Sequence, residues 1–218
     1  MKKLSTLSSQ RHAQRLLAAL ENHHPNAETA LAWENPWQLL VAVILSAQCT
    51  DERVNLVTPP LFAKWPTPED LAAADIENLR NAISSINFYN NKAKHIHATA
   101  KLVSEKHGGK VPQTMDELIQ LPGVARKTAN CVLGTGFGKA VGIVVDTHVG
   151  RLSRRMGLTA ENNPIKVEKN LIALFPAEKW VWLSHALIDH GRSTCTSRKA
   201  KCDECDLEEL CPKIIDNS

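Results

Sequence analysis

Long apolar runs are scarce in this sequence of 218 residues. The longest, Leu39 to Leu45, is far shorter than the roughly 18 residues that a membrane-spanning helix needs. The first three residues are followed mostly by Ser, Thr and Gln, so the apolar segment of an export signal is missing. Only 10 glycines and 11 prolines are present, which excludes collagen-like and low-complexity chains. We therefore expect a folded, cytoplasmic protein with no membrane partner.

The alternation of apolar and polar residues that marks a half-buried strand is also missing. Apolar residues recur at helical spacing instead, which predicts an all-α fold. Pro36 begins a very apolar helix that we expect to be buried on nearly every side. A helix over 10–22 is expected to begin at a cap on Ser8 or Ser9. The isolated apolar run from Val141 to Val145 predicts a buried connection.

The formal net charge of +3 is too small to indicate a polyanionic partner by itself. The charges are nevertheless unevenly placed along the chain. Six basic residues and one acid lie within 121–155, and four basic residues without an acid lie within 192–201. Such blocks are typical either of a solvated face or of a surface that binds nucleic acid.

The segment from Leu121 to Ala129 joins two predicted helices through a Pro-Gly turn. The first helix begins at a capping box, Thr114 to Glu117. The helix after the turn exposes unpaired backbone N–H groups, and its dipole adds partial positive charge at the same end. Gly123, Ala125 and Arg126 are therefore candidates to hold a phosphate of a nucleic acid backbone. A simple tight turn between helices is the alternative.

Lys127 lies in the first turn of that second helix, where the helix dipole disfavours an ammonium group. Only a neutral amine is a nucleophile, and the dipole, Arg126 and burial would all favour the neutral form. Lys127 is thus a candidate Schiff-base nucleophile, or else a surface lysine that contacts phosphate. Asp146 is a helix cap or, beside Lys127, a group that activates the amine and stabilises positive charge on a sugar. His148 is expected to be structural.

Four cysteines fall within 17 residues: Cys195, Cys202, Cys205 and Cys211. In a chain without an export signal, such density favours a metal site over disulfides. Zinc ribbons usually carry two Cys-x2-Cys pairs, and this segment has one, so the spacing favours an iron–sulfur cluster. The loop between the first two cysteines would present three basic side chains to phosphates: Arg198, Lys199 and Lys201.

Four motifs together resemble the endonuclease III family of DNA glycosylase/lyases, and the resemblance covers nearly the whole chain. The motifs are Leu45 to Asp51 (LSAQCTD), Leu121 to Ala129 (LPGVARKTA), Val145 to His148 (VDTH) and the spacing of the four cysteines. The resemblance implies two α-helical domains with DNA bound in a cleft between them. It implies a six-helix domain at 29–139, with a helix-hairpin-helix at about 114–134. Residues 1–28 and 140–218 would form the second domain, with a 4Fe-4S cluster on the four cysteines.

The same resemblance implies a bifunctional enzyme of base excision repair that removes oxidised pyrimidines. The damaged nucleotide is flipped out of the duplex, Lys127 attacks its anomeric carbon, and β-elimination cuts the strand on the 3′ side of the lesion. Asp146 is implied to activate the attack. The implied partner is double-stranded DNA with a damaged pyrimidine or an abasic site, bound by a monomer associated with the nucleoid.

Two side chains are implied to fill the gap that the flipped nucleotide leaves. Gln48 matches the inserting Gln of the family, and Phe88 stands where the family commonly has Leu after Gly. An aromatic ring at that position still stacks on bases. Ala125 stands where many members have a second Gly, and we expect its methyl group to fit only if the backbone there is helical.

Two other functions stay open at this point. Monofunctional mismatch glycosylases of the same fold share the aspartate and the cluster, but they usually lack a lysine at the position of Lys127. A non-catalytic, metal-stapled DNA-binding module would use the hairpin and the basic loop as clamps, and it leaves the pairing of Lys127 with Asp146 unexplained.

Overall fold

A computed structural model describes residues 6–214 of the chain, with side chains from Ser9 onwards. Its helices are α1 (Thr6–His23), α2 (Pro36–Ser46), α3 (Asp51–Lys64), α4 (Pro68–Ala72), α5 (Ile76–Ala82), α6 (Tyr89–His107), α7 (Met115–Leu118), α8 (Arg126–Cys131), α9 (Thr147–Arg155), α10 (Pro164–Leu174) and α11 (Trp180–Ser193). Helix α8 continues as a π-helical turn over Val132–Gly136, and single 3₁₀ turns lie at Ala177–Lys179 and Cys202–Glu204.

The described residues contain no strand, and the isolated bridge between Cys195 and Ala200 is their only β-type pairing. The all-α prediction is therefore confirmed. Within 6–214, none of the helices combines the length and the apolar character that a membrane span requires.

The chain divides into two compact units, of which one is Thr29–Lys139. Helix α2 lies at the centre of this unit and packs against α3, α6 and α8. Asn35 caps it by accepting a hydrogen bond from the Gln38 backbone, and Pro36 occupies its first turn. Seven of its residues are buried, which confirms the expectation of burial on nearly every side: Trp37, Leu39, Leu40, Val41, Ala42, Ile44 and Leu45.

The second unit combines the described residues before Thr29 with those after Lys139. Helix α1 packs against α10 and α11, and α9 packs against α11. Leucines from all four helices share one core: Leu16, Leu20, Leu152, Leu171 and Leu187. The unit is thus assembled from segments that are far apart in sequence.

Two local predictions for this unit need correction. Helix α1 begins at Thr6 and runs through Ser8 and Ser9, so neither serine is its cap. Serine is tolerated inside helices, and its preference for the cap position does not by itself fix where a helix begins. The connection from Val141 to Val145 is irregular as expected, but it is buried only around Ile143.

Candidate functional site

The turn between α7 and α8 is fixed by its own backbone and by α6. Gly123 has a φ of +79°, a conformation that favours glycine, and the Val124 N–H donates to the Leu121 carbonyl at 3.1 Å. The Thr99 hydroxyl on α6 donates to the Pro122 carbonyl at 2.8 Å. A Cβ atom on Gly123 would lie only 3.0 Å from Cβ of His95. The hairpin is therefore held tightly on α6.

Helix α8 begins without a side-chain cap. Ala125 occupies the cap position with φ −88° and ψ 170°. This backbone is extended and not helical, and alanine adopts this region without strain, so a helical backbone is not the condition for an alanine here. No side chain caps this helix start, and the N-terminal end of a helix is suited to an anion.

Lys127 lies in this first turn and its side chain is exposed. The burial expected for it is therefore absent, because α8 buries Ala129 and Asn130. The positive end of the helix dipole and the adjacent Arg126 lie next to Lys127. An exposed amine is directly accessible to a substrate.

Gln48 and Phe88 lie on neighbouring turns of the Thr29–Lys139 unit. Gln48 follows α2 and Phe88 precedes α6, and both have left-handed backbones, with φ of 54° and 59°. The Asn87 side-chain amide donates to the Gln48 carbonyl at 2.7 Å, which joins the two turns. Both side chains are exposed, Phe88 to 64%. A phenyl ring this exposed is free to stack on a base.

Asp146 lies in the other unit, where it caps α9. Its Oδ1 accepts the Val149 N–H at 2.8 Å, and its Oδ2 lies 3.1 Å from Nδ1 of His148. The side chain is only 16% exposed. Both carboxylate oxygens are thus oriented, and His148, expected only to be structural, contacts the carboxylate directly.

Cys195, Cys202, Cys205 and Cys211 line one cavity. Burial raises the pKa of the Cys205 and Cys211 thiols, so their thiolate forms need a compensating positive charge. Within the described chain, no three His, Cys, Asp or Glu side chains converge closely enough to hold a single metal ion.

A pair of histidines lies beside this cavity. Nε2 of His190 is 3.5 Å from Sγ of Cys205, and its Nδ1 is 3.2 Å from Nε2 of His24. Burial lowers the pKa of His190 to about 4, so the imidazole is neutral near pH 7. A neutral ring is available as a hydrogen-bonding partner of the sulfur.

Two arginines of α9 hold the segment that follows Cys195. Arg155 donates to the carbonyls of Thr196 and Ser197 at 2.7 and 3.2 Å, and to Sγ of Cys195 at 3.4 Å. Arg151 donates to the Cys195 carbonyl at 3.0 Å. In the sequence both are merely two of the six basic residues within 121–155. Their spacing of four places them on one face of a helix, which is the signal for a shared contact.

The three basic side chains of this segment, Arg198, Lys199 and Lys201, are all exposed. The backbone beneath them is closed by the bridge from Cys195 to Ala200 and by the Thr196 hydroxyl, which donates to the Lys199 carbonyl at 2.6 Å. A rigid loop with three exposed cations is suited to phosphate contacts.

Comparisons with known proteins agree with one another. Residues 41–177 match the family described as HhH-GPD superfamily base excision DNA repair protein. Endonuclease III of Synechocystis sp. is 48% identical over 205 residues, which are 94% of each chain. Endonuclease III of Bacillus subtilis is 47% identical over 188 residues, which are 86% of this chain and 85% of that protein.

Among solved structures, a trapped endonuclease III–DNA covalent intermediate in an estranged-adenine complex superposes with a TM-score of 0.89. Its identity to this chain is 40%, and the superposition covers 97% of both chains. The likeness therefore extends over both units, each with its own candidate residues.

Proposed function

The chain belongs to the endonuclease III family within the HhH-GPD superfamily of base excision DNA repair proteins, and from this premise we propose that it is a bifunctional DNA glycosylase and AP lyase. Its substrate is double-stranded DNA with an oxidised pyrimidine or an abasic site, which it binds as a monomer in the cytoplasm. The observation that carries the proposal is Lys127, an exposed amine in the first turn of α8 directly after a hairpin suited to phosphate.

In the proposed reaction, neutral Nζ of Lys127 attacks C1′ of a flipped nucleotide and the bond to the base breaks, so that the base leaves with the electron pair. The C1′–O4′ bond of the sugar then breaks, O4′ keeps the electron pair and takes up a proton, and the lysine nitrogen loses a proton as it forms the C=N bond of the imine. Removal of a C2′ proton then expels the 3′ phosphate, and the strand is cut by β-elimination. Water finally releases Lys127 from the sugar remnant.

Asp146 is proposed to accept the proton that Lys127 loses and to stabilise positive charge on the sugar. Its carboxylate suits this role because the Val149 N–H and His148 hold both oxygens in fixed positions. Each of these contacts leaves further acceptor capacity on the oxygens.

The remaining site residues are proposed to hold the DNA. The turn at Gly123, Ala125 and Arg126 contacts the phosphates near the lesion, and Gln48 and Phe88 enter the gap that the flipped nucleotide leaves. The loop with Arg198, Lys199 and Lys201 adds contacts to the DNA backbone that do not depend on its sequence.

The four cysteines are proposed to hold a 4Fe-4S cluster. All four line one cavity, and their spacing contains one Cys-x2-Cys pair where zinc ribbons usually carry two. Arg155 donates to Sγ of Cys195 and compensates part of the negative charge. The cluster fixes the basic loop, and no step of the reaction passes through it. Iron and acid-labile sulfide, measured against zinc, test this assignment.

Borohydride trapping on a duplex with an abasic site tests the activity. We expect a covalent protein–DNA adduct, because borohydride reduces an imine to a stable amine. The variant Lys127→Gln should give no adduct, while its affinity for the same DNA changes only slightly because one phosphate contact at most is lost.

A mutation of Arg126 to Gln serves as the matched control, since it removes a neighbouring charge and keeps the amine. A wild-type protein that binds abasic DNA but forms no adduct would be a monofunctional glycosylase or a passive binding module. An adduct that persists in Lys127→Gln would show that another amine is the nucleophile.

A further inference from the structure

Lys92 is a buried lysine at the start of α6. Its side chain is 5% exposed, and Nζ donates to the carbonyls of Leu45 and Ala47 at 2.7 and 2.6 Å. These carbonyls lie at the C-terminal end of α2, where the last carbonyls of a helix have no partner within the helix. A lysine side chain is almost never buried unless its polar end is satisfied. Lys92 therefore caps α2 from another helix.

Lys92 also belongs to the segment that carries Phe88. Its backbone N–H makes the ordinary first-turn bond of α6 to the Phe88 carbonyl at 3.1 Å, so the Lys92 side chain is carried by the helical turn that begins at Phe88. Ala47, at the other end of the lysine side chain, directly precedes Gln48. The exposed Asn87 adds a parallel link through its bond to the Gln48 carbonyl. One buried side chain with one exposed companion thus connects the turn of Gln48 with the turn of Phe88.

Both turns depend on outside support for their shape. Gln48 and Phe88 are not glycines, yet both have left-handed backbones. Such a conformation is strained and persists only where the surroundings determine it. The Lys92 side chain joins the first turn of α6 to the end of α2 beside Gln48, and Asn87 donates to the Gln48 carbonyl itself.

We infer that Lys92 is a positioning residue that fixes the separation and the backbone shape of these two turns, so that Gln48 and Phe88 are preset to enter the duplex together. The inference rests on the proposed function, because it concerns the two side chains that fill the gap. It assigns Lys92 no contact with DNA.

The lysine is suited to this task in either protonation state. Burial lowers the pKa of Lys92 below the ordinary lysine value. A neutral amine still has two N–H donors for two carbonyls, and an ammonium has three. Methionine has a similar length and no donor, so Lys92→Met removes both bonds and keeps most of the packing volume.

The test uses a duplex with a tetrahydrofuran abasic analogue, which the enzyme cannot cut, and 2-aminopurine opposite it. Insertion of side chains unstacks the 2-aminopurine and raises its fluorescence. We expect this rise to be roughly tenfold slower in Lys92→Met than in the wild type. A factor of this size is typical when a contact between two neighbouring residues of a protein is lost. Affinity for undamaged duplex should change less than about twofold, because no phosphate contact is lost.

A background that lacks both inserting side chains, Gln48→Ala with Phe88→Ala, separates positioning from a general effect. If Lys92 acts through the two turns, adding Lys92→Met to this background should change the rate of the remaining fluorescence rise less than about twofold. A slowing of the same size in both backgrounds would overturn the inference.

Asn87→Ala keeps the inference testable if Lys92→Met does not fold, because Asn87 is exposed. It should also slow the fluorescence rise, and the matched control Asn81→Ala, an exposed asparagine on α5, should not. Wild-type rates in both Lys92→Met and Asn87→Ala would refute the positioning role while leaving the borohydride result untouched. A wild-type protein that traps on abasic DNA but never raises the fluorescence would refute insertion itself, and the role of Lys92 with it.

Discussion

Asp146 shows at the scale of a single residue how one carboxylate serves both a helix and a site. Oδ1 caps α9 through the Val149 N–H, and Oδ2 contacts His148. A side chain with these contacts and 16% exposure has little rotational freedom. Its proposed chemical role requires the negative charge, which a neutral oxygen held in the same position would not supply.

Asp146→Asn separates these two tasks. Asparagine caps helices as well as aspartate does, so the unfolding midpoint should stay close to that of the wild type. Base release should fall by roughly 10²- to 10⁴-fold, the usual contribution of a general base. Single-turnover release from a duplex with one oxidised pyrimidine measures this.

The variant Asp146→Ala is the control for the cap, since it removes both functions and should also cost about 1 kcal/mol of stability. Base release by Asp146→Asn at the wild-type rate would remove Asp146 from the chemistry and leave it as a cap alone.

The sequence pattern predicted which helix or turn holds several of the site residues, but it did not predict what packs around their side chains. The Pro-Gly turn placed Lys127 in the first turn of a helix, as the structure has it, yet its exposure depends on how α8 packs. Lys92 was missed altogether, although it lies four residues before Ile96 on the apolar stripe of α6. A lysine on such a stripe is a signal for a buried polar contact, but its partners come from α2 and are invisible to local spacing.

At the scale of elements, the hairpin between α7 and α8 depends on a close approach to α6. The turn has no room for a side chain at Gly123, because a Cβ there would meet the His95 side chain at 3.0–3.2 Å. Gly138 has a similar φ of 65° but open space around it. The two glycines therefore separate backbone strain from steric contact.

We predict that Gly123→Ala costs more stability than Gly138→Ala. Both substitutions pay for a left-handed alanine, about 1 kcal/mol, and only Gly123→Ala also pushes against α6. Urea unfolding of both variants measures the difference. Binding to duplex DNA should weaken in Gly123→Ala alone, since only that turn carries the proposed phosphate contacts. Equal losses of stability would show that the His95 side chain can move away from the added Cβ without a loss of unfolding free energy.

Elements were predicted best where burial is uniform. The apolar run after Pro36 required a helix buried on most sides, and α2 is such a helix. The π-helical turn at Val132–Gly136 and the left-handed Gln48 and Phe88 had no comparable signal. Glutamine and phenylalanine carry no preference for positive φ, so contacts across the unit set these shapes.

At the scale of the whole molecule, the formal charge of +3 understates the binding surface that we propose. The exposed cations of the hairpin and of the loop after Cys195 are offset by acids elsewhere, such as Asp203 and Glu204. Binding to a polyanion depends on the local cations, because each phosphate contact releases counterions.

The salt dependence of DNA binding should depend on the basic side chains of the loop after Cys195. Arg198→Ala combined with Lys199→Ala is expected to reduce the slope of log K against log salt by roughly 2. The matched control, Lys166→Ala with Lys169→Ala on α10, removes the same charge from another exposed surface and should leave the slope unchanged. Fluorescence anisotropy across a salt series measures both. Equal changes in the two pairs would mean that only the overall charge matters.

The sharing of one core by α1, α10 and α11 has a consequence for how the protein is made. The core of the Thr29–Lys139 unit is contiguous in sequence and emerges from the ribosome in one piece. Roughly 140 residues separate the end of α1 from the start of α10, so at ribosomal speed the first helix waits roughly 7 to 28 seconds for this neighbour. Completion of the proposed cluster site at the four cysteines is therefore a late event in the biogenesis of the protein, after the nascent Thr29–Lys139 segment has had time to fold.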